Sequence, residues 1–243
     1  MEILAIIPAR GGSKSIPRKN LKLLGGKPLI AWSIEIAKKS KVSRVLVTTD
    51  DEEIAAVAKE YGAEVPFLRP AELAGDTIGM EPVLKHTLSW LKEHEGYVPD
   101  GAALLQSTCP LRTGTHINEA IAFFTQKISE GYDAIIGVSE AIANLNPEWQ
   151  LKYDETGRVV LGTGLPLTAI KKRRQDLAPT YIRNDVIYLF KPWILETAPN
   201  LHGNNPALYI VRDLPFELDI NTPQDWEFAE LIIEYLKRKN IIS

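Results

Sequence analysis

A chain of 243 residues, 45% hydrophobic and 24% charged, has the make-up of a globular protein with enough length for one large domain, or a domain with a lobe. Its net charge of −3 offers no overall field for nucleic acid, so any anion site must be local. The single Cys109 excludes an internal disulfide framework and a cysteine-built zinc centre, and the apolar run at 3–9 is too short for a signal segment or a membrane span, so the expectation is a cytoplasmic protein with no membrane partner.

In chain order, short β-branched runs alternate with helical patterns. "ILAIIP" (3–8) predicts a buried strand, and "PLIAWSIEIAKKS" (28–40) a helix with proline at its start and lysines at its end. "RVLVTT" (44–49) predicts a second strand, with Asp50 or Asp51 capping a helix at 52–62 that Gly62 ends. "AEVPFL" (63–68) is expected as a third, short strand, followed by a loop and a helix near 79–95. "AALLQ" (102–106) and "DAIIGVS" (133–139) bracket a helix from about 114 to 130. This β-α order calls for a mainly parallel sheet covered on both faces, with the loops after the strands gathered along one edge, where open α/β sheets bind ligands.

The rhythm breaks after about residue 140. "WQLKYDETGRVVL" (149–161) predicts a hairpin turning at Glu155–Gly157, and a stretch rich in glycine, proline and charge follows at 162–180. "YIRNDVIYLF" (181–190), "ALYIVRD" (207–213) and "FELDI" (216–220) are further extended segments. The last helix is expected over 222–239, with Thr222 as N-cap, Pro223 in its first turn and an apolar stripe through Trp226, Phe228, Ala229 and Ile232. No repeat or linker divides the chain. It reads as one domain, 1–243, carrying an inserted lobe at about 140–180.

The chemistry is concentrated in "IIPARGGSKSIPRKN" (6–20), where a strand runs into a Gly-Gly pair and four cations, Arg10, Lys14, Arg18 and Lys19. Such a loop lets backbone N–H groups approach phosphate oxygens while cationic side chains neutralise them; the plain alternative is a solvated basic turn. The dinucleotide pattern G-x-G-x-x-G is absent. So is the Walker pattern, because Gly26-Lys27 runs into Pro28 with no glycine five positions earlier.

"PARGGSKSIPRKNL" resembles the signature loop of the cytidylyltransferases that activate sialic acid and related nonulosonic acids, and the similarity extends through four further blocks. These are "LRPAELAGDT" (68–77), "LLQSTCPLRTGTHI" (104–117), "RRQDLAPTYIRNDVIY" (173–188) and "LDINTPQDW" (218–226), in the family's order and across nearly the whole chain. The resemblance implies a three-layer, Rossmann-like nucleotidyltransferase fold with a mainly parallel central sheet and a small inserted dimerisation lobe. It implies a homodimer that joins CTP to the anomeric hydroxyl of a nine-carbon 2-keto acid sugar and releases pyrophosphate.

Site residues follow by the same resemblance. Arg10 and Lys19 would hold the triphosphate and stabilise the transition state, with Ala9, Gly11, Gly12, Ser13 and Lys14 lining the phosphates. Asn20, Arg69 and Asp76 would lie beside the nucleotide, and Gln106 at the sugar or base. Asp219 would ligate Mg²⁺ with help from Asn221, or else only cap a turn before Thr222. Arg174, Gln175, Arg183 and Asn184 are candidates for the sugar and its carboxylate, since arginine matches a carboxylate with a planar fork; "KKRR" (171–174) could equally be a solvated charge run. His86, His94, His116 and His202 have no metal spacing, and Trp226 reads as core.

Three departures stand out. Asn221 occupies the place of a second aspartate, which points to a single metal carried largely by the triphosphate and keeps a non-catalytic nucleotide-binding regulator as an alternative. Asp185 stands where the family has glycine. Met80 and Trp149 fall where some members carry polar or cationic contacts. The acceptor is left open among N-acetylneuraminate, legionaminate, pseudaminate, a deaminated nonulosonate and an eight-carbon relative.

Overall fold

The structure, a computed structural model, describes residues 1–198, 200–214 and 218–242. β1 (Ile3–Pro8) leads through a long loop and a two-residue ladder, β2 (Leu23–Leu24) with β3 (Lys27–Pro28), into α1 (Leu29–Lys38). β4 (Arg44–Thr48) precedes α2 (Glu52–Glu60), and of the two candidate caps it is Asp51 whose carboxylate accepts the Ile54 N–H, at 2.9 Å. α3 (Met80–Glu95) stops at Gly96, which adopts the left-handed conformation. After β5 (Gly101–Leu104), α4 (Gly114–Ser129) begins with a reciprocal cap between Thr113 and His116. β6 (Ala134–Glu140), the hairpin β7 (Leu151–Tyr153) and β8 (Val159–Leu161), β9 (Tyr181–Phe190), α5 (Ile194–Thr197) and β10 (Pro206–Ile210) follow. α6 (Pro223–Arg238) opens on Thr222 and Asp225 as a capping box, with proline at its first position.

The main sheet has the order β10-β6-β9-β5-β1-β4. β4, β1 and β5 are parallel, and β9 runs antiparallel to β5, so the sheet is mixed but mainly parallel. Alternation along β1 sets the layers. Ile3, Ala5 and Ile7 pack with α1, α2 and α4, whereas Leu4 and Ile6 pack with α3 and α5. A further apolar cluster seats α6, through Trp226, Ala229, Ile232, Ile233 and Leu236, against Ile16, Leu24, Leu111, Leu218 and Ile220. That packing ties residues 218–220 to the loop after β1.

Three expectations are corrected. Residues 63–68 form a single bridge, Glu64 to Leu46, rather than a strand, because Pro66 has no N–H with which to extend the ladder. Leu218–Ile220 is not a strand either; Leu218 and Ile220 are buried, and the Ile220 N–H donates to Thr108 O at 3.0 Å. Phe216 and Glu217, the start of that expected segment, lie outside the described residues. Phe228 is 54% exposed and leaves the apolar stripe of α6, since two helical steps from buried Trp226 turn it about 200° round the axis.

The chain divides into two compact units, Met1–Gly137 with Asn184–Ser243, and Val138–Arg183. In the first, the places where the chain leaves and returns adjoin: a Cβ on Gly137 would meet Ile187 O at 2.7 Å and Asn184 Oδ1 at 3.0 Å, so only glycine fits. The second unit contains β7 and β8, joined by a turn in which Asp154 Oδ1 accepts the N–H groups of Thr156 and Arg158. It leaves Ile142, Leu151, Tyr153 and Leu165 exposed.

Candidate active site

The carboxyl ends of β4, β1 and β5 open on one edge of the sheet, and a cavity of about 390 Å³ lies there. Arg10, Ser13, Lys14, Lys19 and Asn20 reach it from the loop after β1. Arg69 and Asp76 line it from the segment before α3, and Met80 from that helix's first turn. Gln106, Ser107 and Thr108 follow β5, and Asn221 precedes α6. Most of the sequence-predicted nucleotide residues therefore converge, from segments far apart in the chain.

Several are held by the surrounding protein. Buried Asn20 donates from Nδ2 to Arg10 O at 3.1 Å and accepts the Ser107 hydroxyl at 2.7 Å, joining the loops after β1 and β5. Lys19 is half-buried and donates to Ile220 O at 2.6 Å. Burial lowers its ammonium pKa, with Asp219 opposing that shift and Arg10 adding to it. Arg69 is buried with its Nε 3.3 Å from Thr48 Oγ1 and with Nη2 on Thr48 O, and desolvation pushes its pKa down to about 10, leaving it cationic at neutral pH. Arg10 Nη1 lies 2.8 Å from Asp76 Oδ1, and Lys14 pairs with Oδ2 of the same carboxylate. Those two partners, Lys14 first, hold the Asp76 carboxyl below the usual range.

The remaining members of the loop serve differently from expectation. Ala9, Gly11 and Gly12 do not line the cavity. The Ala9 N–H donates to Thr48 O, the Gly11 N–H to Asp50 Oδ1 at 3.1 Å, and the Ser13 N–H to Gly11 O at 3.0 Å, so these three amides are already committed to the protein. Gly11 is required for space: a Cβ there would lie 2.6 Å from Asp51 Oδ2, whereas at Gly12 it would meet nothing within 4 Å. Arg18, a cation given no role, sits at φ 54° and pairs with Asp51 and Glu53, fastening the loop to the start of α2. The loop is thus built to present side chains.

Asp219 does not cap α6, a task taken by Thr222 and Asp225. Its Oδ2 accepts the Asn221 side-chain amide at 2.5 Å, while its Oδ1 is buried and, among the described residues, lacks a hydrogen-bond partner. An orphaned carboxylate oxygen beside a carboxamide is a donor set that suits a hard divalent cation completing its shell with phosphate oxygens. Among the described residues no group of three or more His, Cys, Asp and Glu could hold a metal alone. The histidines stay outside the cavity lining. His86 packs edge-on to Phe67, His94 stacks on Trp90, His116 caps α4 and His202 meets Asn200.

On the side of Gln106 the sequence reading missed Arg112. Fully buried, it donates from Nη1 to Ser33 Oγ at 3.1 Å, from Nη2 to Gln106 O at 2.9 Å and Asp185 O at 3.1 Å, and from Nε to Val186 O. It fixes the backbone of Gln106 and of Asp185 together. Asp185 lies at φ 53°, the left-handed region that glycine enters without strain, which is the physical content of its departure from the family pattern. Tyr188 OH donates to its carboxylate, and Asn184 Oδ1 accepts the Val186 N–H at 3.2 Å. Arg174, Gln175 and Arg183 belong to the second unit and are exposed there; Arg174 lines a hollow of about 80 Å³ with Glu140 and Asn146. Trp149, in the same unit, donates its indole N–H to Lys171 O.

The chain is similar to known proteins in sequence and in fold. A family model described as "Cytidylyltransferase" matches residues 4–230. The chain is 32% identical to the CMP-N,N'-diacetyllegionaminic acid synthase of Legionella pneumophila, over 96% of this chain and 97% of that one. It is 34% identical to the pseudaminic acid cytidylyltransferase of Campylobacter jejuni, covering 96% of each. Among solved structures, a CMP:2-keto-3-deoxy-manno-octonic acid synthetase complexed with CTP superposes with a TM-score of 0.70 at 17% identity, over 97% of this chain and 99% of the other, a likeness of fold.

Proposed function

Because the chain belongs to the cytidylyltransferase family, we propose that it joins CTP to the anomeric hydroxyl of a nonulosonic acid, forming a CMP-sugar and releasing pyrophosphate. The observation that carries this reading is the meeting of Arg10, Lys14, Lys19 and Arg69 with Asn20 and Gln106 at the carboxyl ends of parallel strands. The sugar oxygen forms a bond to the α-phosphorus, the bond from that phosphorus to the oxygen bridging to the β-phosphate breaks so that this oxygen leaves with pyrophosphate, and the hydroxyl proton passes to water. Little covalent chemistry is asked of the protein, which must position two anions and absorb developing charge. Lys19 and Arg10 serve the phosphates. Arg69, buried and braced on Thr48, and Asn20, braced on Ser107, fix the nucleotide. Gln106 faces the acceptor, and Asn184 with Arg174, Gln175 and Arg183 is assigned to the sugar acid. Pyrophosphate release from CTP with a panel of nonulosonic acids tests the proposal. CTP should be turned over far faster than ATP, GTP or UTP, and equal rates with all four would sink it.

Asp219 and Asn221 would hold Mg²⁺, which would neutralise triphosphate charge when bound. Asp219→Ala should therefore raise the Mg²⁺ concentration giving half-maximal rate, and Asn221→Asp should lower it. A titration midpoint unmoved in Asp219→Ala would leave Asp219 as a loop residue.

We assign a homodimer built through the second unit, supported by its exposed Ile142, Leu151, Tyr153 and Leu165. In that dimer Arg174 serves the neighbouring copy's site. Sedimentation at micromolar concentration should give a dimer, and Leu151→Asp with Tyr153→Lys a monomer of reduced activity; a fully active monomer removes the assignment. A cytoplasmic setting is proposed from the single, unpaired Cys109; among the described residues no helix is long and apolar enough to cross a membrane.

A further inference from the structure

An acidic side chain occupies the place where a polyanion is to bind. Asp76 offers its two oxygens to two cations of the cavity, Oδ1 to Arg10 and Oδ2 to Lys14. Two oxygens on one centre are also what a phosphate offers. The loop that carries Asp76 is exposed from Gly75 to Gly79, and its backbone bonds are local: Ala74 N–H to Ala71 O and Ile78 N–H to Gly75 O. The two ion pairs therefore tie this loop across the cavity to the loop after β1. A triphosphate that engages Arg10 Nη1 and the Lys14 ammonium competes for them with Asp76.

We infer that Asp76 is an exchange carboxylate: it holds Arg10 and Lys14 in the free site, yields them to the polyphosphate, and recaptures them as pyrophosphate departs. This rests on reading the cavity as a triphosphate site. Pyrophosphate carries more charge than a carboxylate and wins the exchange, but at reduced affinity, because a polyphosphate competes with Asp76 for the same two cations. Both pairs are about one-third exposed or more, so the penalty is modest. The gain is a product that leaves sooner and cations that are already aligned when the next CTP arrives.

Calorimetric titration of the full chain with inorganic pyrophosphate, alongside inhibition of turnover by pyrophosphate, tests this in the parent, Asp76→Asn and Asp76→Glu. Asparagine keeps the shape and loses the charge, and should bind pyrophosphate roughly tenfold more tightly, with a matching fall in its inhibition constant. Glutamate keeps the charge and should stay near the parent. Equal affinities in the parent and Asp76→Asn overturn the exchange while leaving the anion site standing. Weaker binding in Asp76→Asn also overturns it, since Asp76 would then contact the anion through a bound cation. No pyrophosphate binding by any of the three overturns the triphosphate reading itself, and the exchange with it.

Discussion

Replacing Lys19 by alanine should lower kcat by roughly 100- to 1,000-fold while weakening CTP binding far less, the usual cost of removing one group aimed at charge that grows in the transition state. The position of the ammonium group is the reason. It is half-buried, fixed on Ile220 O, and lies near Asp219, which helps to keep it charged against the cost of burial. In water a lysine would reorient to follow the developing charge; here it is already in place. Steady-state kinetics with varied CTP separate the two effects, and a rise in KM at constant kcat would reduce Lys19 to ground-state binding.

The second large effect is expected at Arg112. Arg112→Met keeps much of the volume but strips donors from Gln106 O, Asp185 O, Val186 O and the Ser33 hydroxyl. Unpaired buried acceptors cost about 1–3 kcal/mol each, offset by no longer burying a guanidinium whose hydrogen-bond partners are three carbonyls and a hydroxyl. A net loss of roughly 3 kcal/mol, or about 10 °C in Tm, is expected for a domain of this size. Arg112→Lys, which keeps the charge and loses the fork, should recover part of the Tm and less of the turnover, because Gln106 and Asp185 would no longer be fixed together. A melting curve for Arg112→Met within 2 °C of the parent would remove Arg112 from this role.

The sequence made the parallel core legible because each strand carries its own period and the helices carry their own boundary signals: Asp51, Thr222 and Pro223 stand where helices start. It misled where an alternating pattern arose from docking rather than pairing. Leu218 and Ile220 are buried on either side of Asp219 as strand residues would be, yet the segment is pinned by the Ile220 N–H on Thr108 and by the packing of α6. The cationic residues of the cavity were visible as charges in a glycine loop. What local pattern could not reveal was which backbone amides the loop spends on itself, as Gly11 does on Asp50. Arg112 escaped for a different reason. A buried arginine is usually anticipated from a carboxylate partner, and this one is held by carbonyls, two of them, Asp185 O and Val186 O, from a segment more than 70 residues away. Its one local signal was a cation placed directly after buried Cys109, Pro110 and Leu111.

The junction at Gly137 and Asn184 makes the second unit a modular insert. A segment whose ends touch closes a loop on its host whatever its length, and doubling that length adds only about 0.6 kcal/mol of closure entropy. Residues 138–183 can therefore be lengthened, trimmed or exchanged for a foreign segment without re-registering β9 against β5, provided that the glycine at the seam is retained. A different insert would thus replace Arg174, Gln175 and Arg183 while leaving the cavity at the strand ends intact. In the laboratory, Gly137 and Asn184 mark the two cut points for grafting a lobe from a relative that takes a different acid.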